Sequence, residues 1–276
     1  MKSDLYRELA PITDAAWAQI DRQARQSLED RLAARKLVDF RGPLGWPHPA
    51  EPTGRVARPA DGPLNGVELR VRYVQPMVEL RAPFELSRDE LDAVDRGAQD
   101  PDLKPLEDAA AQLARAEDDV VFHGLPVAAV RGIVGSSPHR APTLTDAPEV
   151  YTRVIADAIE TLRENGVTGP YAMALGPRCY TYLARTTADG GYPVLRHVRQ
   201  QLIDGPVVWA PALDGAVVLS MRGGDFELVS GRDISIGYAA HTREVVRLYF
   251  EESLTFRLIT PEAAVPLRYS DGGARA

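Results

Sequence analysis

From Arg41 to Gly66 the chain reads RGPLGWPHPAEPTGRVARPADGPLNG. Proline has no amide proton for a ladder and clashes inside a helix, so this density of proline and glycine excludes helix interiors and central strands. The following stretch, VELRVRYVQPMVELRAPFEL, alternates Val67, Leu69, Val71 and Tyr73 with Glu68, Arg70 and Arg72, the pattern of an extended strand with one apolar face. Together they form a long β-ribbon between hinges that packs poorly on its own chain. An isolated ribbon is marginally stable in water, so this one needs a neighbour.

Helices flank the ribbon. Thr13 or Asp14 caps a helix running to about Lys36, with Trp17, Ile20, Ala24, Leu28 and Leu32 on one side. Ser87-Arg88-Asp89-Glu90 has the capping-box pattern and opens a short helix ending near Gly97. A longer helix spans about 103–122, with Leu106, Ala110, Leu113, Glu117 and Val120 on one face and Gly124 as its stop. Another takes Val154, Ile155, Ala158, Ile159 and Leu162 inward and ends at Asn165-Gly166. A strand around Tyr171, a helix around Cys179 and a helix from about Val194 to Leu202 follow. After Pro206 the text is strand-like, a meandering sheet, up to a polar end, RYSDGGARA, expected to fray. The order is α+β. Within SMRGGDFELVSGRDISIGY, Arg222-Gly223-Gly224-Asp225 lacks the helix that must follow a phosphate cradle, and it reads as a hairpin turn.

Catalytic patterns do not appear. His48, His123, His139, His197 and His241 stand far apart, none in an HxxxH or HExxH frame, so no metal site is expected. There is no Gly-x-Ser-x-Gly elbow. The single cysteine, Cys179, rules out an intrachain disulfide and reads as a small buried hydrophobe in a reducing compartment. Net charge is -7 with no polybasic run, which argues against a nucleic-acid partner. No apolar run approaches the roughly 20 residues of a membrane span, and the start lacks a signal-peptide core, so a soluble cytoplasmic protein without a membrane partner is expected. The runs Glu117-Asp118-Asp119 and Glu251-Glu252 read as solvated faces or interface salt-bridge partners. Glu117 differs, because it falls on the apolar side of its helix and there needs an arginine partner, which points to a subunit contact.

ELAPITDAAWAQIDRQAR, ARKLVDFRGPLGW, VELRAPFEL, LDAVDRG, AEDDVVFHGL, GVTGPYAMAL, GGYPVLRHV and RGGDFELVSGRDISIGY occur in this order over essentially the whole chain. In these blocks the sequence resembles the encapsulins, bacterial nanocompartment shell proteins. The resemblance implies the α+β fold of tailed-phage major capsid proteins and an icosahedral shell of roughly sixty or more copies. It implies an N-terminal arm on the inner wall (1–40), an extension loop (41–80), a peripheral domain (81–149 and 220–276) and an axial domain (150–219). It also implies a cargo enzyme, a dye-decolorising peroxidase or a ferritin-like protein, held by a C-terminal targeting peptide, with oxidative stress or iron storage as the setting. The matching groove positions are Leu28, Leu32, Arg35 and Asp39 on the helix side and Asp233, Ile234 and Ile236 on the strand side. The same residues also suit an intrasubunit core and salt bridge. Thr187, Ala188, Asp189, Gly190, Gly191 and Tyr192 fall at the implied fivefold pore, where a ring of Asp189 favours small cations; a plain glycine turn is the alternative. Some relatives bind flavin through a tryptophan in the segment matching FELSRDELD, where this chain has Asp89, so no flavin or other cofactor is assigned. The competing functions are a phage or prophage major capsid protein, expected to carry a scaffold segment or basic inner arm, and a hydrolase or bacteriocin-like enzyme, which needs a nucleophile with a base.

Overall fold

The computed structural model describes residues 4–60, 64, 66–145, 147–187 and 193–269. Helix α1 (Asp14–Arg31) begins where the Thr13 hydroxyl accepts the Ala16 amide at 3.2 Å. It stops short of the expected end near Lys36. The Ala33 and Ala34 amides are taken by the Asp118 carboxylate, and the chain makes a 3-10 turn over Ala34–Lys36 before strand β1 (Asp39–Arg41).

The proline-rich tract contains a strand. β2 (Ala50–Ala57) pairs antiparallel with β3 (Val71–Pro76), with a register break between Pro52 and Val56. Such breaks are how proline and glycine are tolerated in an unshared ribbon. The expected one-sided apolar face is absent: Val56, Val67, Val71, Tyr73 and Val74 are all exposed. The ribbon ends at Pro76, and β4 (Val78–Ser87) already belongs to a larger sheet.

Helix α2 (Arg88–Asp95) follows without the predicted reciprocal cap, since the Ser87 side chain makes no capping bond and Glu90 instead accepts the Asp102 amide at 2.8 Å. Helix α3 (Lys104–Phe122) ends at Gly124 (φ +83), where a Cβ would lie 2.6 Å from the Val130 carbonyl oxygen. Then come the short pair β5 (Gly124–Leu125) and β6 (Val130–Arg131), α4 (Ile133–Ser136) and β7 (Thr143–Leu144). Next are α5 (Pro148–Glu164), β8 (Tyr171–Leu175), α6 (Pro177–Arg185) and α7 (Val194–His197), the last continuing in π-type turns over Val198–Leu202. The remaining strands are β9 (Val207–Trp209), β10 (Ala216–Ser220), β11 (Phe226–Ser230), β12 (Ser235–His241), β13 (Val245–Leu258) and β14 (Ala264–Tyr269).

These strands do not form one meandering sheet. β13 carries β4 along one edge and β12 and β11 along the other, with β1 parallel to β11. The second sheet runs β7-β14-β10-β8-β9. Segment 220–276 therefore divides between sheets, β14 leaving the company of β11 to β13. Gly223 and Gly224 have the positive φ expected of them (+85 and +79), but they join β10 to β11 across the two sheets and are not a hairpin turn. Arg268 and Tyr269, read as part of a frayed tail, lie in β14, and the rest of that tail is outside the described residues.

Two cores result. The larger packs α5, α6 and the second sheet, and contains Cys179, fully buried as expected. The smaller joins α1, α3, β4, β12 and β13 around Ile20, Leu106, Leu113 and Phe250. Full burial of such side chains contributes about 1.5–3 kcal/mol each, which fixes α1 against the sheet. Among the described residues no helix is long and apolar enough to cross a membrane, and no group of three metal-ligating side chains occurs.

Candidate functional site

A groove of about 530 Å³ opens between α1 and the start of β12. Ala24, Leu28 and Leu32, spaced by four, present one line of the helix to it. Ile234 and Ile236 alternate out of the strand to form the facing wall, with Phe250 of β13 behind. Ile236 and Leu32 are buried, whereas Leu28 and Ile234 remain half-exposed and so form the accessible apolar surface. Exposed Arg25 and Glu29 stand at the rim. The N-terminal segment closes one end: the Tyr238 amide donates to the Leu5 carbonyl at 2.8 Å, Asp4 pairs with Arg232, and Arg7 bonds Asp21 at 2.8 Å with its guanidinium over Trp17.

Six of the seven predicted groove residues thus come together. Asp39 does not. Because the helix ends at Arg31, the chain turns away into β1, where Asp39 accepts the Gly224 amide at 2.6 Å in a separate small cleft with Leu37, Val38 and Phe226. Thr187 bridges to Pro193, while Ala188, Asp189, Gly190, Gly191 and Tyr192 lie outside the described residues.

Beneath the groove, Arg35 gathers three carboxylates. Its Nε and Nη2 donate to Glu117 at 2.6 to 2.9 Å, Nη1 to Asp233 at 2.7 Å and Nη2 to Glu252 at 3.2 Å. Burial pulls the guanidinium down, but the hydrogen bonds and charge of Glu117, with the charges of Asp233 and Glu252, outweigh it and hold it above its usual range. Glu117 is fully buried and does have an arginine, but from its own chain, so the expected subunit contact is not what satisfies it. Nor are the acidic runs solvated faces: Asp118, Glu251 and Glu252 are buried, and Glu251 pairs with Arg81 and Arg232.

Burial raises the Asp118 carboxyl to about 7, the Ala34 amide opposing this and Glu117 adding to it. The folded chain thus keeps a proton that the unfolded chain loses near 3.8. Its stabilisation is complete below that value and is lost as pH rises to about 7. Asp118→Asn is expected to flatten this part of the profile of unfolding midpoint against pH, and an unchanged slope contradicts the assignment.

Leu5, Arg7, Arg25, Glu29 and Phe250 are groove residues that sequence reasoning missed. Phe250 was visible as an inward position of an alternating strand; Leu5 carried no periodic signal.

Residues 1–255 match the family described as "Encapsulating protein for peroxidase" (Linocin_M18). A type 1 encapsulin shell protein of Rhodospirillum rubrum is 49% identical, with 96% of each chain covered. The chain belongs to the encapsulin shell-protein family. The virus-like particle of Pyrococcus furiosus superposes with a TM-score of 0.63 at 17% identity, over 91% of this chain and 98% of that one. The capsid of Myoviridae phage XM1 gives 0.52 at 13% identity, over 86% and 90%. These likenesses establish the capsid-type α+β fold. Encapsulin shell proteins are structural subunits rather than enzymes, which decides against the hydrolase alternative. The sequence identity lies with the encapsulin and not with the phage capsid.

Proposed function

We propose that this encapsulin shell protein assembles into an icosahedral shell of roughly sixty copies in the cytoplasm and encloses a dye-decolorising peroxidase or ferritin-like enzyme. The cargo is held by a C-terminal targeting peptide laid in the α1–β12 groove. The carrying observation is the groove itself: segments some two hundred positions apart converge on an accessible apolar trough with charged rims, the form that receives one side of an extended peptide. The family description, which names peroxidase, supports that cargo class. In the shell, residues 1–40 form the inner-wall arm, 41–80 the extension loop, 81–149 and 220–263 the peripheral domain, and 150–219 with β14 the axial domain. Residues 187–192 line the fivefold pore and admit small solutes, a reading that rests on their sequence.

The groove is tested where a charge does least harm to the core, at Leu28 and Ile234 rather than at buried Ile236. Leu28→Glu and Ile234→Glu are expected to give intact particles that retain roughly tenfold less cargo, since each lost apolar anchor is worth about 1.5 kcal/mol or more. Mass spectrometry of purified particles measures this, and cargo at wild-type stoichiometry in both variants overturns the groove assignment.

A further inference from the structure

Three carboxylates, Glu117, Asp233 and Glu252, share one guanidinium. Among the described residues Arg35 is the only cation paired with any of them. Around them, the turn after α1 contributes Arg35, α3 contributes Glu117 and Asp118, the loop before β12 contributes Asp233, and β4 presents Leu80 opposite Glu252. Glu251, the neighbour of Glu252 in β13, is engaged with Arg81 and Arg232. Glu252 is fully buried, and while its Oε2 lies 3.2 Å from Arg35, its Oε1 has no hydrogen-bond partner. A buried carboxylate with an orphaned oxygen beside a second buried carboxylate is costly, and a proton removes both the surplus charge and the orphan.

We propose that Glu252 is a positioning residue that stays a neutral carboxylic acid at neutral pH, its proton donated to Glu117, so that Arg35 keeps Nη1 on Asp233 at the groove. The proposal rests on the groove reading only for its functional consequence, because the proton itself is a property of the folded subunit. Burial raises the Glu252 carboxyl well above 4.5, and the charge of nearby Glu117 adds to this. The contribution of that proton to stability is complete below 4.5 and is lost as pH rises through the folded value. Once Glu252 ionises, two buried anions compete for the guanidinium. Asp233, the exposed partner at 44%, is then the one released, and the strand-side wall of the groove loosens.

Purified particles of wild type, Glu252→Gln, Glu252→Ala and Asp118→Asn are compared by unfolding midpoint from about pH 5 to about pH 9, a range chosen to span the linkage window. Glutamine still donates an N–H to Glu117 and cannot ionise. Glu252→Gln is therefore expected to gain on wild type as pH rises, by on the order of 5 °C at the alkaline end. Glu252→Ala loses the donor and leaves a cavity, and is expected to fall below wild type in the acidic range. The pH-dependent gain is expected to persist in an Asp118→Asn background, which removes the other titration. A Glu252→Gln offset that is constant across pH overturns the proposal and leaves a merely structural side chain. If that variant forms no particles, infrared spectra of wild type and Asp118→Asn at neutral pH decide: a protonated-carboxyl C=O band is expected in both, and its absence from Asp118→Asn overturns the proposal. None of these readouts depends on cargo, so cargo retention in the Leu28 and Ile234 variants tests the groove separately.

Discussion

Excising the ribbon tip, residues 53–73, is expected to leave a folded subunit that forms no closed particles. The base of the ribbon is anchored within the chain: buried Glu51 binds Arg41 and lies 2.7 Å from His48, and Gln75 donates to the Ala128 carbonyl at 3.0 Å. Among the described residues its outer part shows no such anchors, and it exposes Val56, Val71, Tyr73 and Val74. A two-stranded ribbon of this kind is marginal alone. In the proposed shell its exposed apolar side chains are covered by a neighbouring subunit. Removal costs the subunit little but deletes the proposed intersubunit contact, so size-exclusion chromatography should show complete loss of the particle peak with the far-ultraviolet spectrum preserved. The excision stops before Met77 because β4, which begins at Val78, is part of the main sheet. Closed particles from this variant would falsify the intersubunit role.

Arg35→Met is expected to cost about 3–5 kcal/mol, the effect of removing one partner from a buried ion pair. Glu117 is left fully buried without its cation, and the tie between the end of α1, α3 and β13 is lost. Much of that cost is the penalty on the stranded carboxylates rather than the worth of the original contacts. Adding Glu117→Gln and Glu252→Gln to Arg35→Met should therefore recover most of the stability, an interaction that a mutant cycle measures directly. Denaturant unfolding that places Arg35→Met within about 1 kcal/mol of wild type, the scale of an exposed pair, contradicts the buried-network account.

Local signals translated into structure where they depend on nothing distant, though the capping-box pattern at Ser87 did not. Thr13 is a capping residue because of its own hydroxyl, and the apolar stripe of α3, with Gly124 behind it, depends on nothing distant. Pairing information was not local. The tract at Gly223 and Gly224 carries its positive φ in its composition, but whether β10 and β11 pair is decided by β8 and β14 on one side and β13 on the other. Asp39 was misplaced because the end of α1 is set by Asp118, from a helix more than eighty positions away. For the same reason Glu117 was legible as a buried carboxylate in need of an arginine, yet its partner was not. The groove was legible through family resemblance at six positions. Leu5 reaches it only by crossing the edge of β12, a contact without a period or a motif.

In the proposed assembly this chain closes into a hollow shell. Negative-stain electron microscopy of the purified protein tests it most directly. Uniform closed particles with empty or cargo-filled interiors are expected, and a monodisperse monomer or dimer at the same concentration contradicts the closed shell.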